Sequence, residues 1–292
     1  MGKSVNRFKG GGLGVFREHR GAALSLLFLA ALAVCAVLAP WISSYPYDAT
    51  DPGNLLAGPS GEHWMGTDRL GRDLFSRVLF GARVSLLVGV TVALSALTIG
   101  TVVGMVSGYL RGRTDQVLMR IVDVLYALPD LLVVILLMVL LGRSVPALIA
   151  AMVVIGWVGV ARLTRGEVLR VRELPFVEAA RALGAGHAAI LGRHVLPNIM
   201  APLLVTLAVR VPGAILLEST LSFLGLGIPP PFASWGTLAN DGWTALRFNP
   251  HLILFPGAAI LLTVLSFNTL GDFLRDILDP RRVRGMMNKV SG

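Results

Sequence analysis

The chain has 292 residues, 54% of them hydrophobic and 15% charged, with a mean hydropathy of +0.72. An average soluble domain is about a quarter charged, so an ordinary soluble domain is excluded. The net charge of +9 then reads as basic residues gathered on one side of a membrane and not as a nucleic-acid surface.

No Asp, Glu, Lys or Arg occurs between Arg20 and Asp48, Arg83 and Arg111, Arg143 and Arg162, or Arg247 and Gly271. Each gap is long enough to cross a hydrocarbon core of about 30 Å as a helix. The runs are continuous and do not alternate, which rules out a β-barrel. The expected fold class is therefore an all-α membrane protein with six transmembrane helices. The first span is predicted over 21–42, after a tail (1–20) bearing Lys3, Arg7, Lys9, Arg17 and Arg20. It holds the one cysteine, Cys35, so no internal disulfide forms, and it reads as a retained span.

An external loop and amphipathic helix are expected over 43–83. In "GTDRLGRDLFSRVLFGARVSLL", Asp68 is the predicted N-cap. Leu70, Leu74, Val78 and Leu79 share one face, and Arg69, Arg72, Asp73 and Ser76 spread over the other. This helix is expected to lie on the membrane surface. Further spans follow over 84–109, 117–141 (bent at Pro129), 147–163, 199–221 (with Pro202 and Pro212) and 252–270. Together they make a membrane domain over 21–272, closed by a basic tail over 273–292. With the N-terminus inside, 19 Lys and Arg fall on the inner side and six on the outer. Both termini and the polar stretch 164–197 are thereby predicted to be cytoplasmic.

That polar stretch contains "PFVEAARALGAGHAAILGRHVLPN", residues 175–198. Pro175 suits a first helical turn. Glu178 early and Arg181 late match the helix dipole, and Gly184 and Gly186 end the helix. Two turns do not hold alone in water, so either the protein's own ends or a partner's groove must support them. Glu178-Ala179-Ala180, then Gly184-Ala185, then His194-Val195-Leu196-Pro197 resembles the EAA motif of permease subunits in binding-protein-dependent ABC importers. His194 stands where that family often has an aliphatic residue. The blocks 66–89, 119–135, 218–236 and 271–284 are similar to the dipeptide/oligopeptide permeases, and more narrowly to their C-type subunit.

The resemblance implies the type I importer permease fold, with a cytoplasmic coupling helix contacting an ATPase through Glu178, Ala179, Ala180, Arg181, Gly184, Ala185, His194, Leu196 and Pro197. It implies a bacterial inner membrane, a second homologous permease, two ATPase subunits that bind ATP and Mg, and an extracytoplasmic solute-binding protein. The solute would be a di- or oligopeptide, with nickel, glutathione or another small solute as the alternative. Arg69, Arg72, Arg77, Phe223 and Trp235 become candidates for an external gate or receptor contact.

Three ionisable residues inside spans are candidate pathway groups: Asp130, Arg210 and Glu218. Arg210 and Glu218 are two turns apart, so they share a face; the alternatives are a pair through an intermediate residue or the binding of peptide termini, and for Arg210 a structural contact with the partner permease is favoured over substrate binding. Pro212-Gly213 between them predicts a local helix break. Asp123 is expected to pair with Arg120. No phosphate-binding loop, metal-ligand spacing or catalytic triad is visible, so no cofactor or metal is expected in this chain, and no nucleic-acid partner.

Overall fold

The computed structural model describes residues 19–278. The first 18 residues and the basic tail from 279 onward, including the end of the 271–284 block, lie outside the described residues. Among the described residues the regular structure is helical, with one isolated bridge between Thr67 and Asp73. Five helices are long and apolar enough to span a membrane: α1 (Arg20–Val37), α2 (Leu74–Leu110), α5 (Val145–Val171), α7 (His187–Phe223) and α9 (His251–Leu278). The pair α3 (Gly112–Tyr126) and α4 (Asp130–Leu141) is apolar enough to make a sixth if it counts as one span, but it is bent by 87°. Among the shorter helices are a single turn at Ala39–Ile42, α6 (Pro175–Ala182) and α8 (Trp235–Trp243).

The expected surface helix over 66–83 is corrected. Helix begins only at Leu74, and its N-cap is Asp73, whose carboxylate accepts the Ser76 N–H at 2.8 Å. Gly66 (φ +80°) and Gly71 (φ +74°) hold residues 66–73 in left-handed turns that a helix cannot absorb. From Leu74 the helix runs unbroken into the second span, so the amphipathic stretch is the first turns of α2. Asp68 caps a turn instead, accepting the N–H groups of Leu70 and Arg72.

α2 is the central rod, and small residues let it approach its neighbours closely. A Cβ on Gly100 would meet Val160 Cβ at 2.5 Å, and one on Gly104 would meet the Ala161 carbonyl at the same distance. These glycines and Gly108 recur every fourth residue, on the face against α5. Near the other end, Gly89 receives Ile215 of α7 in the same way.

Further expectations change. The helix break at Pro212-Gly213 is absent, since α7 stays helical through Pro202 and Pro212. Each proline removes one N–H, and the packed neighbours hold the rest of the ladder. The bend at Pro129 is 87°, far sharper than a kink, so Asp123 and Asp130 sit on separate helices. Asp123 pairs with Arg162 of α5 and not with Arg120. α5 and α7 also extend well past their predicted ends, into residues 164–171 and 187–195. Much of the polar stretch is therefore spanning helix continued beyond its apolar part.

Candidate functional site: the α6 end and the loop-rich end

At one end of the bundle, α6 lies across the tips of α2, α5 and α7. Val177 and Ala180 face inward and are buried with Tyr109, Val168, Val171, Ile190 and Val195. The small Ala180 allows this close seating. The other face is open: Phe176, Glu178, Ala179 and Ala182 are exposed, and Leu183 protrudes at 88%. The helix therefore rests on its own protein along one side and presents the second side outward.

Its end is a Schellman turn. Gly184 at φ +83° donates its N–H to the Arg181 carbonyl at 3.0 Å, and Ala185 donates to the Ala180 carbonyl at 3.0 Å. Gly186 is not a second stop, as it caps the start of α7. Next comes a π-turn over Ile190–Val195. Pro197 lacks the N–H that would bond the Arg193 carbonyl, and the widened turn absorbs that register slip. His194 is half-buried there, its ring 6.4 Å from Phe176 and its carbonyl accepting from Asn198 at 2.7 Å. Leu196 is half-buried and Pro197 exposed.

One residue missed by sequence reasoning ties this region to α2. Tyr109 is buried at the last turn of α2, with its hydroxyl 3.3 Å from His187 Nδ1. The guanidinium groups of Arg172 and Arg181 each lie 5.9 Å from its ring, close enough for cation–π attraction. Arg172 also donates to the Tyr109 carbonyl at 2.5 Å. Below it, Arg165 grips Asp115 of α3 through two bonds of 2.6 and 2.7 Å. Long sequence separation hid both links.

The opposite end is built from residues 43–73, 224–250 and α8. Here the candidate external residues separate. Arg72 and Arg77 are inside the protein, bonded to Asp68 at 2.7 and 2.6 Å, so they are not lipid-headgroup anchors. Arg69 is exposed and bonds to Thr244. Trp235 is fully buried, donating from Nε1 to the Val78 carbonyl at 3.1 Å, and is core. Phe223 remains partly exposed, edge-on to Trp243.

The candidate pathway residues separate as well. Glu218 has no exposed surface. Ser222 donates to it at 2.7 Å, and Ser85 and Ser219 at 3.3 and 3.4 Å. Ser85 in turn accepts the Trp235 N–H at 3.2 Å. Glu218 thus locks α2, α7 and α8 together and lines no open surface of this chain. Arg210 does not pair with it. Arg210 lies against Gly159 of α5, and the acid whose charge acts on it is Asp130, at the start of α4. Asp130 is exposed and Arg210 half-buried, so these two stay candidates where Glu218 does not.

The described residues thus form a bundle of membrane-spanning length with a short two-faced helix at one end. Residues 100–284 match the family model for the binding-protein-dependent transport system inner membrane component. Residues 13–59 match the N-terminal transmembrane domain of oligopeptide transport permease C. The chain is 45% identical to the oligopeptide transport system permease protein of Bacillus subtilis, over 91% of this chain and 87% of that one. It is 47% identical to the dipeptide transport system permease protein of the same organism, over 91% and 83%. It is 43% identical to a glutathione transport system permease protein of Escherichia coli, over 91% and 88%. The chain belongs to this family of inner membrane transport components. It is a multi-pass permease subunit of an ABC importer and not an enzyme.

Proposed function

We propose that this chain forms half of the translocation pathway for di- and oligopeptides, energised through α6. The observation that carries the coupling role is α6 itself, with one face seated on the bundle and the other open around Leu183. Glu178, Ala179 and Arg181 offer that open face to an ATPase subunit. Ala180 lets the helix sit low, Gly184 and Ala185 make its turn, and His194, Leu196 and Pro197 shape the π-turn that returns the chain to the membrane. Residues 21–272 are the membrane domain, with α6 and both flanking tails, 1–20 and 273–292, cytoplasmic in a bacterial inner membrane. The loop-rich end faces outward, where a solute-binding protein delivers substrate. A second, homologous permease completes the pore. Two ATPase subunits hold the ATP and Mg, and their closure moves the α6 helices.

Mechanically, Arg172, Arg181 and His187 transfer the movement of α6 to Tyr109 and so to α2, a rod of 37 residues reaching the outer end. Asp130 and Arg210 line the pathway side. The peptide assignment follows the two relatives named for peptides. The relative named for glutathione supports a second reading, the same machine serving another small solute.

Purifying the tagged chain from its native membrane in mild detergent tests the assembly. Two ATPase chains and a second permease are expected to co-purify and to be lost on replacing Gly184 with valine. Recovery of the chain alone, stable and monomeric, would overturn the coupling role. Import of labelled peptide against labelled glutathione by the reconstituted complex decides the solute.

A further inference from the structure

At the loop-rich end a cleft of about 390 Å³ opens between the start of α2, the 225–232 turn and α8. Its walls carry Arg69, Arg72, Arg77 and Arg143, opposed only by Asp68 and Asp241. The cleft therefore holds two positive charges in surplus. Asp68 is committed to Arg72 and Arg77. Asp241 is half exposed and stands 3.6 Å from Arg77 and 3.9 Å from Arg72, beyond good hydrogen-bond length.

Two exposed guanidinium groups point to an acceptor supplied by a ligand. Arg69 is exposed at the rim of the cleft and bonds to Thr244. Arg143 is exposed and engages the Gly227 carbonyl through Nε at 3.2 Å. The rest of the wall is apolar, formed by Leu70, Ile228, Phe232 and Leu238 among others. A guanidinium fork matches a carboxylate through two parallel bonds, and the volume falls in the range of small-molecule sites.

We propose that this cleft is a carboxylate-binding subsite that takes the free carboxylate of a small peptide, with an apolar side chain of that peptide against Phe232 and Leu238. The identity of the ligand as a peptide rests on the functional reading above. The arginine cluster and apolar wall by themselves specify a small carboxylate with an apolar neighbour. Bound there, the carboxylate supplies the third negative charge and reduces the surplus to one.

The test uses the complete transporter in lipid nanodiscs, without ATP or solute-binding protein. The probes are labelled alanylphenylalanine and its C-terminal amide. The acid is expected to bind and the amide to bind about tenfold or more weakly. Arg143→Gln and Arg69→Gln, both at exposed positions, are each expected to weaken binding of the acid by a similar factor without unfolding the chain. Equal binding of acid and amide, no binding of either, or unchanged affinity in both variants overturns the subsite. If the variants weaken only docking of the solute-binding protein, the arginines serve a protein contact and the proposal fails. Peptide import by the unaltered complex is measured separately. Absence of import overturns the peptide reading, whereas import with no preference for acid over amide overturns the cleft alone.

Discussion

The two ends of the bundle use charge in opposite ways. At the α6 end three ion pairs are open to solvent, Arg111 with Glu173, Arg162 with Asp123, and Arg170 with Glu167, and one, Arg165 with Asp115, is partly enclosed. At the loop-rich end they are enclosed: Arg72 and Arg77 on Asp68, and His63 on Asp73. Exposed pairs contribute about 0–1 kcal/mol and can be exchanged at little cost. Enclosed pairs cannot be broken singly without stranding a desolvated charge. On the coupling role proposed above, the α6 end is the one that shifts and the opposite end holds its shape, with α2 running between them.

The largest effect is expected from severing that join. Gly104→Leu puts a side chain where even a Cβ would lie 2.5 Å from the Ala161 carbonyl, and the α2–α5 seam cannot open locally. A loss of at least about 1–3 kcal/mol, read as a lowered melting temperature in detergent, is expected. An unchanged melt would show that the seam is loose.

The rigid end is tested next, at Glu218. Glu218→Ala leaves Ser85 and Ser222 without their acceptor and is expected to cost about 1–3 kcal/mol, whereas Glu218→Gln keeps an acceptor and costs less. A stable Glu218→Ala protein with altered import would instead make Glu218 a pathway residue.

At the mobile end, Tyr109→Ala is expected to lower import several-fold while ATP hydrolysis continues, because α6 then moves without α2. Tyr109→Phe keeps the ring between its arginines and loses only the long contact to His187, so it should retain most coupling. The ratio of ATP hydrolysed to peptide imported reads this directly, and a proportional fall in both activities would count against transmission. Arg111→Ala removes one exposed pair, and the melting temperature should fall by no more than about 1 kcal/mol in equivalent stability.

The smallest effect concerns pH. Burial pushes the Asp241 carboxyl above its ordinary value, opposed by Arg72 and Arg69 and reinforced by Asp68. The folded state therefore holds its proton more tightly than the unfolded one. Asp241 supports the fold below the ordinary value of 3.8, and that support is lost as pH rises through the folded value. Asp241→Asn should remove this loss, giving a slight gain at neutral pH that vanishes in acid. An equal gain at both pH values would show that ionisation of Asp241 is not its cause.

Much of this arrangement is legible in the order of the residues. Charge-free runs mark the spans because hydrocarbon excludes charge regardless of neighbours. Pro175, Ala180 and Gly184 mark α6 because helix starts, seats and stops are local. The less legible features have one cause, partners far apart in the chain. Arg77 looks like a surface arginine in its own segment and is buried by α8. Trp235 looks like a loop aromatic and is filled in by α2. Glu218 and Arg210 share a face of one helix, yet their partners stand on other helices. The every-fourth-residue glycines at 100, 104 and 108 were a readable sign of the α2–α5 seam.

The sequence by itself determined that the chain crosses a membrane, the apolar stretches at the heart of its long helices, and the short helix with the EAA spacing, since each depends on composition or on residues within a few positions. Only the tertiary structure decided which face of α6 is open, which arginines are enclosed, that Tyr109 joins α6 to α2, and that Glu218 belongs to the core. Those outcomes depend on which side chains meet across helices, and backbone approach and desolvation, not local propensity, set their energies.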